Sequence, residues 1–89
     1  MTYSIELTPS ARRALTHDLP EAIAVACWNF ISGDLAEHPY RVGSPLRDEH
    51  LGRYAARRGE FRIIYEIHDQ VVVVRVVSIR HRRDVYRPR

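Results

Sequence analysis

Apolar and polar residues change rhythm several times along the chain, and each change marks an element. Tyr3, Ile5 and Leu7 alternate with polar neighbours, the period-two signature of a strand with one buried face. Thr8-Pro9 follows, pairing an N-cap hydroxyl with a proline suited to the first helical position. The stretch 11–19 predicts a short helix with Ala11, Ala14, Leu15 and Leu19 on its inner side. Pro20 disfavours helical backbone at Leu19, so a second helix is expected from Pro20 to about Asp34. Ile23, Val25, Ala26, Cys27, Trp28, Phe30 and Ile31 give that helix a wide apolar stripe, which predicts deep burial against a sheet, Trp28 included. Two helices separated by so short a break form a helical hairpin.

Residues 35–50 contain Pro39, Gly43 and Pro45 and read as a loop. A strand of weaker signal covers 51–57, and Arg58-Gly59 turns the chain. The next strand, 61–67, sets Phe61, Ile63, Tyr65 and Ile67 on one face and Arg62, Ile64 and Glu66 on the other. After a tight connection at His68-Asp69-Gln70, the run 71–79 is apolar on both faces and is expected in the middle of the sheet. The remaining residues, 80–89, are polar apart from Val85-Tyr86. The expected fold is α+β, one domain over 1–89. An N-terminal strand, a two-helix hairpin and a three-stranded antiparallel meander make a four-stranded sheet with both helices on one face.

Composition narrows the setting. A hydrophobic content of 45% supplies one core. The run 71–79 is broken by Arg75 and Ser78, so no segment is expected to cross a membrane. The first residues lack a basic-then-apolar pattern, so no signal peptide is expected. Cys27 is the single cysteine, which fits a reducing cytoplasm. All 14 basic residues are arginine, and they are unevenly placed. Residues 1–50 hold 4 arginines against 7 acids, whereas residues 51–89 hold 10 against 4. A basic half points to a polyanionic partner, with nucleic acid the first candidate.

The candidate chemistry follows from what is present and what is not. The histidines, at 17, 38, 50, 68 and 81, lack metal-ligand spacing, so no metal is expected and no other cofactor. There is no phosphate-binding glycine loop and no serine in a nucleophile elbow, and Cys27 lies in the apolar stripe and reads as core. Two clusters remain. One is Arg53, Arg57, Arg58 and Arg62, and the other is Arg80, His81, Arg82, Arg83 and Tyr86. Adjacent antiparallel strands bring Arg62 towards Arg80. Guanidinium groups fork onto phosphate, a histidine moves protons near neutral pH, and a tyrosine ring stacks on a splayed base. RNA carries its own nucleophile, the 2′-hydroxyl. Cutting it requires removing that proton, offsetting charge on the phosphorus and protonating the leaving 5′-oxygen. Each residue also has a plain structural reading: Arg62 paired with Glu66, Arg80, Arg82 and Arg83 as a basic tail, Tyr86 as a packing anchor. Tyr65 reads as core, and Arg12 and Arg13 as solvated.

The segment Arg57-Arg58-Gly59-Glu60-Phe61-Arg62-Ile63-Ile64-Tyr65 resembles the "R-x-G-x-[YF]-R-[IL]-x-Y" stretch of RelE/ParE-superfamily toxins. His81-Arg82-Arg83-Asp84-Val85-Tyr86 resembles their "H-R-x-D-V-Y" close, and Pro45-Leu46-Arg47 their step before the second strand. The resemblance covers nearly the whole chain and implies the toxin of a type II toxin–antitoxin pair, of the RelE type. Such a toxin cleaves mRNA, usually on the ribosome and without a metal. A cognate acidic, RelB-like antitoxin wraps and silences it, and operator DNA is met only through that antitoxin. The resemblance implies that Arg62 steadies the scissile phosphate, that Arg82 stabilises charge or acts as acid, that Tyr86 orients or stacks on the substrate, and that Arg53 occupies a basic position on the second strand. Counting back from Tyr86 favours Arg80 over Arg82. RelE-type toxins carry lysine where this chain has Arg53 and Ala55. An arginine stays protonated and is a poor base, which makes His81 the candidate proton carrier. Two other readings are a ParE-type toxin, which inhibits DNA gyrase with the same fold, and a non-catalytic RNA-binding domain.

Overall fold

A computed structural model describes residues 2–81. Strand β1 (Ser4–Leu7) leads into α1 (Pro9–Arg13), which Thr8 caps by accepting a hydrogen bond from the Ala11 amide at 3.2 Å. The helix widens into a π-type turn over Ala14–Asp18, closed by the Leu19 amide on the Ala14 carbonyl, and stops at extended backbone before Pro20. Helix α2 (Glu21–Phe30) widens in the same way over Ile31–Leu35. The chain then passes through β2 (Ser44–Pro45) and a single 3-10 turn at Asp48–His50. It ends in the meander β3 (Tyr54–Arg58), β4 (Phe61–His68) and β5 (Val73–His81).

The strands form one sheet in the order β1-β5-β4-β3-β2. Leaving β1, the chain crosses by its helices to the far edge and meanders back until β5 lies parallel to β1, with Leu7 opposite Val76. The other neighbours are antiparallel. The α+β class, the helical hairpin, the antiparallel meander and the interior place of the last strand are all as read from the sequence. A fifth strand is the difference. Ser44–Pro45 pairs with Ala55 and Tyr54 at the sheet edge, inside the expected loop. Two residues carry no alternation, and a proline is tolerated only because an edge strand leaves one side undonated.

The helices cover a single face of the sheet. Ala11, Ala14, Cys27, Phe30, Ile31 and Leu35 pack on Ala56, Ile63, Tyr65, Val74, Val76 and Ile79. Tyr65 is fully enclosed, as expected, and its hydroxyl donates to the Pro39 carbonyl at 2.6 Å. Burial, helped by the neighbouring Tyr54, pushes its pKa up to about 12. Gly43 makes room for that hydroxyl, because a Cβ there would lie 2.8 Å from the Ala55 carbonyl as well as overlapping the Tyr65 ring oxygen. The apolar stripe of α2 is only partly used. Cys27, Phe30 and Ile31 are buried, but Val25 is 53% and Trp28 44% exposed, so the expectation of a buried Trp28 is corrected. Seven apolar positions wrap more of the helix than one sheet contact can cover.

The last strand also starts later than its valines suggest. Val71 is exposed and Val72 takes φ 55°, its amide donating to the Asp69 carbonyl within the turn. Left-handed backbone is uncommon for a β-branched residue, so the apolar run concealed the turn. Further along, Ile64 pairs with Ser78 but Tyr65 pairs with Val76, leaving Val77 as an extra residue in β5. That bulge switches the buried positions of β5 from Val74 and Val76 to Ile79.

Candidate nucleic-acid interface

The face of the sheet turned away from the helices carries the polar residues of the three meander strands. Directly opposed residues on neighbouring strands point the same way, so the register decides which side chains meet. Arg57 pairs with Arg62, and Arg62 pairs with Arg80. Three arginines thus form one transverse row over three strands, their Cα atoms spanning about 10 Å. Arg57 and Arg80 are exposed; Arg62, between them, is half-buried with its Nε shut off from solvent. Next to the row, Ala55, Ile64 and Ser78 form a second register line of small and apolar side chains. Ile64 is buried in that line, 7% exposed although it faces away from the helices.

Further along the same face the electrostatics invert. Glu66 accepts from Arg53 Nε at 3.2 Å, lies 3.6 Å from an Arg75 terminal nitrogen and sits 3.0 Å from His68 Nε2. Arg75 also reaches Glu6 of β1 at 3.4 Å. Burial works against ionising Glu66. The hydrogen bonds from His68 and Arg53, with the Arg53 and Arg75 charges, outweigh it and hold the carboxyl below its ordinary range. A second carboxylate closes the far end of the sheet. Asp69 accepts from the Tyr3 hydroxyl at 2.6 Å and from the Tyr40 hydroxyl, which holds it low and pushes Tyr40 up to about 12.

The sequence clusters are thus divided by the fold. Arg57, Arg62 and Arg80 come together. Arg53 shares their face but is tied to Glu66. Arg58 points to the helix side, its guanidinium 4.7 Å over the Phe30 ring. His81 stands edge-on to Phe61, with Nε2 3.3 Å from Glu60. Its opposite number is Phe61, next to Arg62, so the ring projects to the helix side, away from the row. The expectation that Arg58 and His81 join Arg62 on one surface is corrected by strand parity: a one-residue step along a strand changes face. Arg82, Arg83 and Tyr86 lie outside the described residues. Arg75 and Ser78 were missed by sequence reasoning. The apolar run hides Arg75, and the bulge at Val77 resets the parity that would have placed Ser78. Cys27 is enclosed by the core, and burial pushes its thiol up against the opposing pull of the Arg58 charge, consistent with packing.

On the other side of the molecule, α2 and the β3–β4 turn enclose a groove of about 730 Å³ lined by Ile23, Cys27, Phe30, Arg58 and Phe61 among others. With Val25 and Trp28 on the outer face of α2, this side offers substantial uncovered apolar surface. Among the described residues, no helix is long and apolar enough to cross a membrane.

A two-helix hairpin over a sheet of this order, with arginines on the face turned away from the helices, defines a small toxin class, and comparison places the chain in it. Residues 5–86 match the family of ParE toxins of type II toxin–antitoxin systems, parDE, and the chain belongs to that family. It is 45% identical to Toxin RelG of Mycobacterium tuberculosis over 98% of this chain and 99% of that protein. It is 41% identical to Toxin RelE of the same organism, over 96% and 87%. The toxin–antitoxin complex RelBE2 from Mycobacterium tuberculosis contains a chain of the same fold, with TM-score 0.87 and 42% identity over 91% of this chain and 92% of that one.

Proposed function

We propose that the protein is the toxin of a type II pair that stops growth by cutting mRNA, most effectively on the ribosome, without a metal ion. The observation that carries this reading is the Arg57–Arg62–Arg80 row. Three arginines drawn from one register line match the needs of a phosphodiester whose charge grows as the 2′-oxygen attacks. Arg62, partly buried at the centre, steadies the scissile phosphate, where a low local dielectric strengthens its hold. Arg57 and Arg80 grip the strand on either side. Arg82 supplies further charge or a proton, Tyr86 stacks on the substrate, and Arg83 extends the basic surface. Arg53 holds the near edge through Glu66, and its charge is already compensated.

The same reading includes a cognate antitoxin. The relatives include a toxin solved in complex with its antitoxin. This chain combines a basic sheet face with the exposed Val25 and Trp28 and an apolar groove, surfaces that suit an acidic segment folding as it binds. Operator DNA is then met through the antitoxin.

The experiment adds purified protein to translating ribosomes and maps new mRNA 5′ ends. The unchanged chain is expected to produce them, and Arg62→Ala to slow their appearance by about 10²–10³-fold. The family model, built on ParE toxins, favours a second reading in which the chain inhibits DNA gyrase. Gyrase-dependent DNA breaks with intact mRNA would establish that reading and end the first.

A further inference from the structure

Arg80 lies on the face turned away from the helices only because β5 contains an extra residue. Up to Val76 the even positions are buried: Val74 and Val76 are fully enclosed. An unbroken strand would continue that parity, burying positions 78 and 80 and turning 79 outwards. The register skips Val77 instead, Ile79 becomes the buried residue and Arg80 stands opposite Arg62. A bulge leaves its extra residue outside the ladder, so the backbone groups there need another partner.

Thr8 is that partner. Its amide donates to the Val76 carbonyl at 3.1 Å and its hydroxyl donates to the Val77 carbonyl at 2.6 Å. The same hydroxyl oxygen accepts from the Ala11 amide, beginning α1. One residue thus joins the start of the helix to both carbonyls at the bulge. We propose that Thr8 is a positioning residue of the RNA-cutting site: by holding the Val77 bulge it sets Arg80 in line with Arg62 and Arg57. Thr8 touches no substrate and acts through Arg80. The inference rests on the reading of the arginine row given above.

The two bonds of the hydroxyl can be separated. Thr8→Asp keeps an acceptor for the Ala11 amide and loses the proton offered to the Val77 carbonyl. Thr8→Ser keeps both. Cleavage of mRNA on translating ribosomes is measured for the full chain in the unchanged and Arg80→Ala backgrounds, with a melting curve for each protein. In the unchanged background, Thr8→Asp is expected to slow cleavage about tenfold, within the roughly hundredfold that a 1 Å misplacement can cost. Thr8→Ser is expected to restore the rate, and in the Arg80→Ala background Thr8→Asp should cost nothing more. If the aspartate variant does not fold, Thr8→Val, which lacks the donor and keeps the branched shape, is read in its place with the same expectation. An equal loss in both backgrounds would show that Thr8 acts on stability alone and would overturn the inference, as would an undiminished rate. Full-rate cleavage by Arg80→Ala itself is a different result: it removes the reading of the row, and the inference goes with it.

Discussion

The two ends of the sheet face turned away from the helices set the same residue type among different neighbours. At one end Arg57, Arg62 and Arg80 meet with no carboxylate at their register positions. At the other, Arg53 and Arg75 converge on Glu66, with Glu6 and His68 completing the group. Like charges brought side by side cost free energy, and a bound anion lowers that cost. The ion pairs around Glu66 link neighbouring strands. The abundance of arginine therefore does not locate the site. The register and the position of the acids do.

This contrast can be broken most sharply at Arg62. Arg62→Ala is expected to lower the rate of mRNA cleavage by about 10²–10³-fold. The flanking arginines come next. Arg57→Ala and Arg80→Ala should each weaken RNA binding and flatten its dependence on salt, removing about 0.7 from the log–log slope for each single-strand phosphate that is no longer neutralised. Salt titrations of RNA binding for the two variants measure that slope.

Glu66→Gln tests the other end and should act on stability more than on cleavage. Because the folded carboxyl ionises below its ordinary range, the group contributes fully above the unfolded pKa of about 4.3, and the contribution fades as pH falls through the folded value. The unchanged protein should therefore lose stability below about pH 5 more steeply than Glu66→Gln does. At neutral pH the substitution should cost about 1 kcal/mol, since the pairs are only partly enclosed. Denaturant unfolding at a series of pH values reads both effects. The smallest effect is expected at His81, whose ring lies against Phe61 and Glu60 on the helix side. His81→Ala should cleave at close to the unchanged rate. A drop as large as that of Arg62→Ala would return the proton-carrying role to His81.

Much of this was legible in the sequence, for identifiable reasons. Alternation in 61–67 placed Ile63 and Tyr65 in the core, Phe61 on the same helix-facing side and Arg62 on the opposite face, because strand parity is a local property. The Thr8-Pro9 cap and the Leu19-Pro20 break located the helices through local backbone chemistry. Non-local features were not legible. Nothing in Val71-Val72 distinguishes a turn from a strand, and nothing in Val76-Val77-Ser78 announces a bulge that depends on Thr8, 69 residues away. Strand pairing likewise separated Arg58 and His81 from neighbours one step along the chain. The exposure of Trp28 reflects how few partners two helices on one sheet can provide.

The comparison between the two ends is tested most directly by placing Arg62→Ala and Arg53→Ala in one assay, following new mRNA 5′ ends on translating ribosomes. The account predicts a loss of about 10²–10³-fold for Arg62→Ala and a much smaller one for Arg53→Ala, whose charge Glu66 already compensates. A loss at Arg53 equal to or greater than that at Arg62 would contradict it.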